Sequence, residues 1–489
     1  MKNFAHLKQL VSESIVYGLA GVLTRFLSFL LVPVYTRIFL PDDYGVMSLV
    51  TNTIGLVAIF VVFGLDSAAA RWFYDTDESE QQKRTIATWA WFQIVVSTVI
   101  GGAIVVFSDT LSVLLVARED AAIYLRLLAF ALPLGTLGTV VINWLRLQRR
   151  PWATAMFALG TNLLTIMLTL LFVVVLRLGL KGVFLSQLAT ALVSTLIAVL
   201  LMGAWVSPAY FDRRQLIDML KFSFPLIPAS ISYWIVNLSG IYFIKGFSTT
   251  SEVGLYQVGS SFASAMAILT AAFQQALGPF SMSIHKREDA AKVYADILTA
   301  YTLTACLFSL LLSLFATEIL SLVTTKTYLG ASRIVGILSF NYVVTGFIYI
   351  ASIGMNIAKT TRPYGVAVVT ASILTVVLNA VFVPHFGKEG AALSTLIAQA
   401  FVPVFVFYAA QKLYPIPYRF AAVTATFVLA FGIALLGGPI TTGSFVTDIP
   451  VKLGMLGLFV SSVFVLRITT IAKLRGMVAE FFVKGSHGC

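Results

Sequence analysis

The chain alternates between long apolar runs and short polar gaps. A helix that crosses a bilayer needs about 20 mostly apolar residues, and runs of this kind follow one another along nearly the whole chain. Backbone groups in lipid must be satisfied within the chain, so long runs predict helices rather than the alternating strands of a barrel. The pattern predicts an all-α polytopic membrane protein with about 14 transmembrane helices, at 14–36, 43–70, 84–107, 121–147, 152–176, 182–206, 219–245, 252–279, 292–316, 330–358, 363–383, 389–411, 419–438 and 450–468.

The composition and the charge distribution predict how the chain is oriented in the membrane. Hydrophobic residues make up 59% of the chain and charged residues 11%, whereas about 25% of a soluble protein is charged. The net charge is +12. If the N-terminus is cytoplasmic, the cytoplasmic gaps hold more than twice as many Lys and Arg residues as the opposite side. Cytoplasmic loops of membrane proteins carry such an excess beside anionic lipid. The bias therefore predicts both termini in the cytoplasm and no nucleic-acid partner.

Two adjacent acids, Asp42 and Asp43, lie in the short gap of "FLPDDYGVMSLV", residues 39–50. Such a pair suits catalysis, metal binding or the start of a helix. The stretch "SEVGLYQVGSS", residues 251–261, repeats the pattern, with Glu252 in the place of Asp43 and Gly254 in the place of Gly45. A catalytic pair need not recur in altered form, whereas acids in a first helical turn meet the positive end of the helix dipole. The repetition favours two equivalent helix starts.

Further matches at nearly the same offset extend the repeat. Pro151 in "RRP" corresponds to Pro363 in "TRP", and "GVFLSQLATAL" corresponds to "GAALSTLIAQA". Internal repeats are common in secondary transporters. The sequence predicts two pseudo-symmetric six-helix bundles, residues 1–212 and 213–415, and then two additional transmembrane helices with a cytoplasmic tail, residues 416–489.

This combination resembles the polysaccharide and oligosaccharide flippases (Wzx type) of the multidrug/oligosaccharidyl-lipid/polysaccharide exporter superfamily. The residues that carry the resemblance are "RIFLPDDYGVMSLV", "GFSTTSEVGLYQVG" and "LQRRP". The resemblance covers essentially the whole chain and implies a V-shaped pair of bundles that works by alternating access. It implies transport of undecaprenyl-diphosphate-linked oligosaccharide units, of O-antigen (lipopolysaccharide) or exopolysaccharide, across a bacterial inner membrane. Contact with the polysaccharide polymerase and the chain-length machinery is a further expectation.

Other functions fit parts of the pattern. An ion-coupled multidrug exporter and a lipid II flippase belong to the same superfamily, and an exporter of cations favours carboxylates in its cleft. A membrane glycosyltransferase or polymerase would use acids such as Asp42 and Asp43, but it normally needs a sizeable periplasmic loop, and the loop here is short. The expectation is a transporter and not an enzyme.

Arg25 is the clearest charge inside a span, near the middle of the first apolar run. An ionisable group at this depth costs about 2.5–3.5 kcal/mol on insertion scales and is a functional candidate. Gly18, Gly21 and Ser28 share its helix face, so this face is expected to turn toward protein or water rather than lipid. A guanidinium there suits a diphosphate or an acidic sugar. The alternative is an ion pair with Asp66.

Asp66 lies near the cytoplasmic end of the second span and has two interpretations. One is a carboxylate that couples transport to H⁺ or Na⁺. The other is an interfacial acid paired with Arg71. The residue types alone leave both open, because a carboxylate close to the end of a span is compatible with either environment.

The remaining candidates for a substrate-binding cleft lie on later spans. Arg126, Lys245 and Arg333 are near the periplasmic ends of their spans, where they form a basic vestibule or snorkel to headgroups. Asn237 and Asn341 belong to polar stripes that suit a hydrated, sugar-compatible cleft or hydrogen bonds between helices.

The histidines are far apart and lack the spacing of metal ligands, and no glycine-rich phosphate loop occurs. The sequence therefore predicts no metal, no other cofactor and no use of ATP on this chain. An ion gradient is the expected energy source.

Overall fold

The structure is a computed structural model that describes the backbone of residues 2–438 and 445–465 and the side chains of residues 16–438 and 447–463. These residues are helical and contain no strand. Eleven helical segments in this part of the chain are long and apolar enough to cross a membrane, or 12 if a bent pair counts as one span. The all-α polytopic class is confirmed, and the count of 14 spans stays a prediction. The end of the last predicted span and the C-terminal tail lie outside the described residues.

The first compact unit comprises Met1–Gln257. Its helices are α1 (Lys2–Phe29), α2 (Leu31–Ile38), α3 (Pro41–Val62), α4 (Leu65–Tyr74), α5 (Ser79–Val106), α6 (Ser108–Val116), α7 (Ala122–Leu147), α8 (Pro151–Thr169), α9 (Gly179–Met202), α10 (Arg213–Ser223), α11 (Ile227–Leu238), α12 (Gly240–Phe247) and the first part of α13 (Thr250–Ala263). A π-helical turn, Leu170–Val175, continues α8.

The apolar core of the first unit forms where α4, α5, α7 and α9 pack together. Leu65 and Trp89 are fully buried there. The rings of Trp144 and Trp205 lie 5.6 Å apart between centroids. Alanines such as Ala68 let the helix backbones approach closely, which is how membrane helices gain packing energy.

The second compact unit comprises Val258–Cys489. Its described helices are the end of α13, α14 (Met266–Ile284), α15 (Ala290–Leu314), α16 (Ala316–Val323), α17 (Ser332–Ile357), α18 (Arg362–Leu413), α19 (Phe420–Gly437) and α20 (Phe445–Val465). α17 is central and packs against α14, α15, α18 and α19. The Phe340 ring of α17 meets Phe431 of α19 edge to face, with centroids 5.2 Å apart.

Several predicted spans are interrupted. α3 ends and α4 begins at Phe63 and Gly64, whose φ angles of 53° and 66° are left-handed. The Gly64 carbonyl accepts hydrogen bonds from the Ser223 hydroxyl at 3.1 Å and from the Ser67 N–H of α4 at 3.3 Å, which satisfies this backbone group at the break. α13 and α14 meet at a bend of 42°. α18 is divided at Gly387 (φ 54°, ψ −131°) into helices that match the predicted eleventh and twelfth spans. Hydropathy does not reveal the first two breaks because the flanking residues are apolar on both sides.

The predicted repeat is visible in the backbone. α3 begins at Pro41 and α13 begins at Thr250, its equivalent in the repeat. Left-handed residues recur at matching places, with φ 53° at Arg149 and 55° at Lys359. Each of these precedes a helix that has proline at one of its first two positions. Equivalent helices of the two repeats therefore begin at positions separated by the offset that was read from the sequence.

The two equivalent helix starts, α3 and α13, pack directly against each other. A Cβ atom on Gly45 would lie 2.0 Å from the carbonyl oxygen of Thr250, and one on Gly254 would lie 1.8 Å from the carbonyl oxygen of Pro41. Gly254 is the repeat equivalent of Gly45, and Thr250 that of Pro41, so one contact is made twice, as in a two-fold interface. Only glycine fits at either position without moving a backbone.

Candidate functional site

The paired acids belong to a cluster of ion pairs at the start of α3. Asp42 and Asp43 lie in its first turn, as predicted, and Glu252 lies in the first turn of α13. Arg118 Nη1 lies 3.0 Å from Asp42 and 3.5 Å from Asp43. The same guanidinium donates to Asp120 through Nε and Nη2 at 2.9 and 2.6 Å, which raises the pKa of Arg118 further. One cation thus joins the helix start to the loop after α6, and this geometry supports a structural role for the acids.

Hydrogen bonds reinforce the contact between α3 and the elements that follow α11. Ser48 donates to Gln257 Oε1 at 3.0 Å, and these two residues are 209 apart, the offset of the repeat. The hydroxyls of Thr53 and Tyr242 lie 2.9 Å apart. Polar side chains of the predicted seventh and eighth spans, Tyr242 and Gln257, are therefore used for hydrogen bonds to α3.

Arg25 lies on an exposed face of α1. No described side chain forms an ion pair with it, and a Cβ atom on Gly21, one turn earlier, would meet nothing within 4 Å. Asn162 of α8 donates to the Ser28 hydroxyl at 3.1 Å, so α8 packs along the edge of the same face. The predicted pair with Asp66 is not formed. The guanidinium is thus accessible in the middle of an apolar helix.

Asp66 lies in the first turn of α4, immediately after the left-handed break. Its Oδ1 atom is buried and has no hydrogen-bond partner. Arg71 lies instead over the ring of Phe222, at 5.5 Å from the centroid. Neither predicted partner, Arg25 or Arg71, forms an ion pair with Asp66 within the described ranges, which leaves a carboxylate at a helix break without a cation.

Two of the predicted vestibule cations are engaged by neighbouring side chains. Arg126 Nη2 contacts the two carboxylate oxygens of Asp109 at 2.8 and 2.6 Å, and its Nε donates to Ser108 at 2.7 Å. Lys245 donates to the Thr250 hydroxyl at 2.7 Å. Both side chains are therefore engaged in contacts near an end of the helix that carries them.

The other three candidates differ in their surroundings. Asn237 donates to the Tyr233 carbonyl one turn earlier, at 2.8 Å. Asn341 is 7% exposed, and its Oδ1 atom is buried without a partner. Arg333 is exposed and lines a cavity of the second unit. Hydrogen bonds and ion pairs of the described side chains do not join any two of the predicted site residues.

Two buried polar features of the second unit were not predicted. Lys452 of α20 forms an ion pair with Glu318 of α16, and their side chains are 0% and 10% exposed. Asn379 of α18 is fully buried, and neither its Oδ1 nor its Nδ2 has a partner. Lys452 and Asn379 each lie inside a predicted span. A polar or charged residue at such a position is the sequence signal by which these two features could have been predicted.

Comparisons with known proteins agree on the class of protein to which the chain is similar. The model of a family described as "Polysaccharide biosynthesis protein" matches residues 10–285. The succinoglycan biosynthesis transport protein ExoT of Rhizobium meliloti (strain 1021) is 24% identical over 302 residues, which cover 59% of this chain and 57% of that protein.

Solved structures show the same fold. The lipid II flippase MurJ, in an inward closed conformation, superposes with a TM-score of 0.71 at 16% identity, over 92% of this chain and 98% of the other. An inward-facing multidrug resistance transporter of the MATE family gives a TM-score of 0.64 at 16% identity, over 82% and 96%. The resemblance predicted from the sequence is confirmed.

Proposed function

The chain belongs to the polysaccharide biosynthesis protein family, and from this premise we propose that it moves lipid-linked saccharide units across a membrane for polysaccharide assembly. It is a multi-pass membrane protein with the fold of flippases and multidrug transporters. The proposed cargo is an undecaprenyl-diphosphate-linked oligosaccharide, carried from the cytoplasmic to the periplasmic leaflet of a bacterial inner membrane. Both termini are proposed to be cytoplasmic.

The observation that carries this proposal is the accessible guanidinium of Arg25. An arginine without an ion-pair partner in the middle of a span is costly unless it faces water or an anionic ligand. Guanidinium binds phosphate through paired hydrogen bonds. We therefore assign Arg25 to the diphosphate of the cargo, and we assign Asn237 of the same unit to its sugar hydroxyls.

Transport by alternating access needs a helix contact that closes on one side and opens again. The reciprocal packing of Gly45 and Gly254 supports such a role for the start of α3 and α13, because each glycine lies directly against the backbone of the other helix. Ser48 and Gln257 add one hydrogen bond that is easily exchanged for water. We propose that this contact is closed in the present conformation and separates during the cycle.

Asp66 supports coupling to an ion gradient. A carboxylate at a helix break, with a buried oxygen that lacks a donor, is a suitable acceptor for a proton or a small cation. We propose that Asp66 binds the coupling ion and that H⁺ is the first ion to test, since a single carboxylate oxygen suffices to hold a proton.

A genetic complementation experiment tests the function. Deletion of the gene is expected to abolish surface polysaccharide and to leave lipid-linked units on the cytoplasmic leaflet. In the deletion strain, Arg25→Ala should restore no polysaccharide at normal membrane abundance, and Arg25→Lys should restore part of it. Arg84→Ala is the matched control, because Arg84 is exposed and forms only a surface pair with Glu80 at 3.1 Å.

Two results would overturn the proposal. One is normal periplasmic delivery of lipid-linked units in the clean deletion strain. The other is rescue of a lipid II flippase depletion, or export of cationic drugs, by a chain that does not restore the polysaccharide. Full activity of Arg25→Ala would refute the role of that residue, and the proposed cargo would then be supported by the family membership alone.

A further inference from the structure

The second unit contains a cavity of about 310 Å³ that is distinct from the proposed substrate contacts of α1. This volume lies at the lower end of the range for small-molecule sites, about 300–1,000 Å³. It is formed by residues of α15, α17, α18 and α19. Its polar lining consists of Arg333, Glu389, Ser313 and Ser332.

The cavity presents two charges of opposite sign that do not neutralise each other. Arg333 and Glu389 form no ion pair, so their charged atoms are more than 4.0 Å apart. Arg333 has no carboxylate partner in the described part of the chain. Among the described side chains, Glu389 pairs with Lys388 alone, at 3.7 Å, which is longer than a hydrogen bond. A ligand that carries a negative and a positive group is complementary to this pair.

The repeat explains why Arg333 is unpaired. In the first unit, the short helix α6 has one acid in its first turn, Asp109, which pairs with Arg126 at the start of the long helix α7. In the second unit, α16 has Glu318 in its first turn, but this carboxylate pairs with Lys452 of α20. Lys452 of α20 thus supplies the cation for Glu318, and Arg333 forms no pair with this carboxylate. Arg333 is left free for another anion.

The rest of the cavity is apolar, and its polar end lies at helix ends. Ile337, Leu393, Phe431 and Leu435 form the apolar wall, and Leu435 is 45% exposed. Arg333 is the second residue of α17. Glu389 follows the break at Gly387. Charged groups at the ends of spans lie at the depth of lipid headgroups, and the apolar wall continues toward the depth of acyl chains.

We propose that this cavity binds a phospholipid with a zwitterionic aminoalkyl phosphate headgroup, such as phosphoethanolamine. Arg333 binds the phosphate, Glu389 binds the ammonium group, and the apolar wall contacts the first part of an acyl chain. An acidic lipid without an amine would occupy Arg333 but would leave Glu389 with Lys388 alone, at 3.7 Å. This role for Arg333 replaces the substrate contact that the sequence predicted, and it does not depend on the identity of the transported cargo.

Native mass spectrometry of the purified protein tests the proposal. The full chain is exchanged into detergent that contains equal amounts of phosphatidylethanolamine and phosphatidylglycerol, and retained lipid is counted. The expected result is that wild type retains phosphatidylethanolamine over phosphatidylglycerol, about tenfold or more. Arg333→Gln should lower retention of both lipids, and Glu389→Gln should remove the preference. Lys326→Gln is the control, because Lys326 is an exposed cation of the same unit outside the cavity.

Soluble phosphoethanolamine forms a second arm, which separates a lipid from a free headgroup. Retention of the lipid without retention of the soluble compound supports the proposal, since the apolar wall needs an acyl chain. Equal retention of both lipids by wild type would overturn it, as would Arg333→Gln and Glu389→Gln variants that behave like Lys326→Gln. If Arg333→Gln does not fold, Arg333→Lys provides the same comparison, with weaker retention expected because lysine lacks the paired donors.

Discussion

Replacement of Gly254 by alanine tests the proposed closure between α3 and α13. The new Cβ would lie 1.8 Å from the Pro41 carbonyl oxygen, 2.8 Å from the Pro41 carbonyl carbon and 3.0 Å from the Gly45 nitrogen. All three are backbone atoms, so no side chain can move aside. Since non-bonded carbon contacts lie at about 3.5–4.0 Å, the two helices must separate by more than about 1 Å.

The magnitude of the effect follows from this clash. One extra methyl group in a tightly packed contact costs about 1–3 kcal/mol, which shifts an equilibrium between closed and open conformations roughly 5- to 150-fold. Gly45→Ala should act to a similar extent, because its Cβ would lie 2.0 Å from the Thr250 carbonyl oxygen. Gly55→Ala, further along α3, should have no effect, because a Cβ there meets nothing within 4 Å.

Thiol cross-linking measures this equilibrium. Cysteines placed at Ser48 and Gln257, whose side-chain oxygens are 3.0 Å apart, should be joined by a short bifunctional reagent in the closed conformation. Addition of Gly254→Ala should lower the ratio of cross-linked to uncross-linked protein at least fivefold and slow transport. The reasoning is refuted if the Gly254→Ala protein cross-links and transports like the Gly55→Ala protein.

Three further predictions concern the charged groups. Asp66→Asn should abolish the response of transport to an imposed pH gradient in proteoliposomes, and Asp66→Glu should keep part of it; an unchanged response would exclude a coupling role. Lys452→Met should lower the free energy of unfolding by about 3–5 kcal/mol, because it leaves Glu318 buried without a cation, and adding Glu318→Leu should restore most of the thermal stability in detergent. Arg118→Gln should cost about 0–1 kcal/mol, since its partly exposed ion pairs are weak, and complementation should stay normal; loss of activity would reopen a chemical role for Asp42.

The sequence predicted the all-α membrane fold because the length of an apolar run can be read directly from the chain, and the repeated helix starts because matching stretches recur at a nearly constant offset. The start of α3 at Pro41 and that of α13 at Thr250 agree with the offset found for Asp43 and Glu252. The break at Phe63 escaped prediction, because a left-handed residue in an apolar run does not change hydropathy.

The site was less accessible to sequence reasoning, because charge partners depend on which helices pack together. Arg126 and Arg333 look alike as cations near the ends of spans. The structure separates them: Asp109 holds Arg126, whereas Arg333 faces a cavity. Lys452 lies near the start of the predicted span 450–468, and its burial against Glu318 follows from the packing of α20, which the sequence of this span alone does not reveal.

The ion pair between Glu318 and Lys452 also has a consequence for biogenesis, because its two residues are synthesised at different times. The two residues are 134 apart in sequence, and at about 5–20 residues per second the ribosome needs roughly 7 to 27 seconds to synthesise the intervening chain. During this interval α16 is inserted with its acid, but the matching cation has not yet been made. A chain released before α20 keeps a carboxylate in its interior that no later residue can neutralise. Products that stop before α20 are therefore expected to be recognised by membrane proteases, and Lys452 acts as a chemical mark that synthesis has passed this helix.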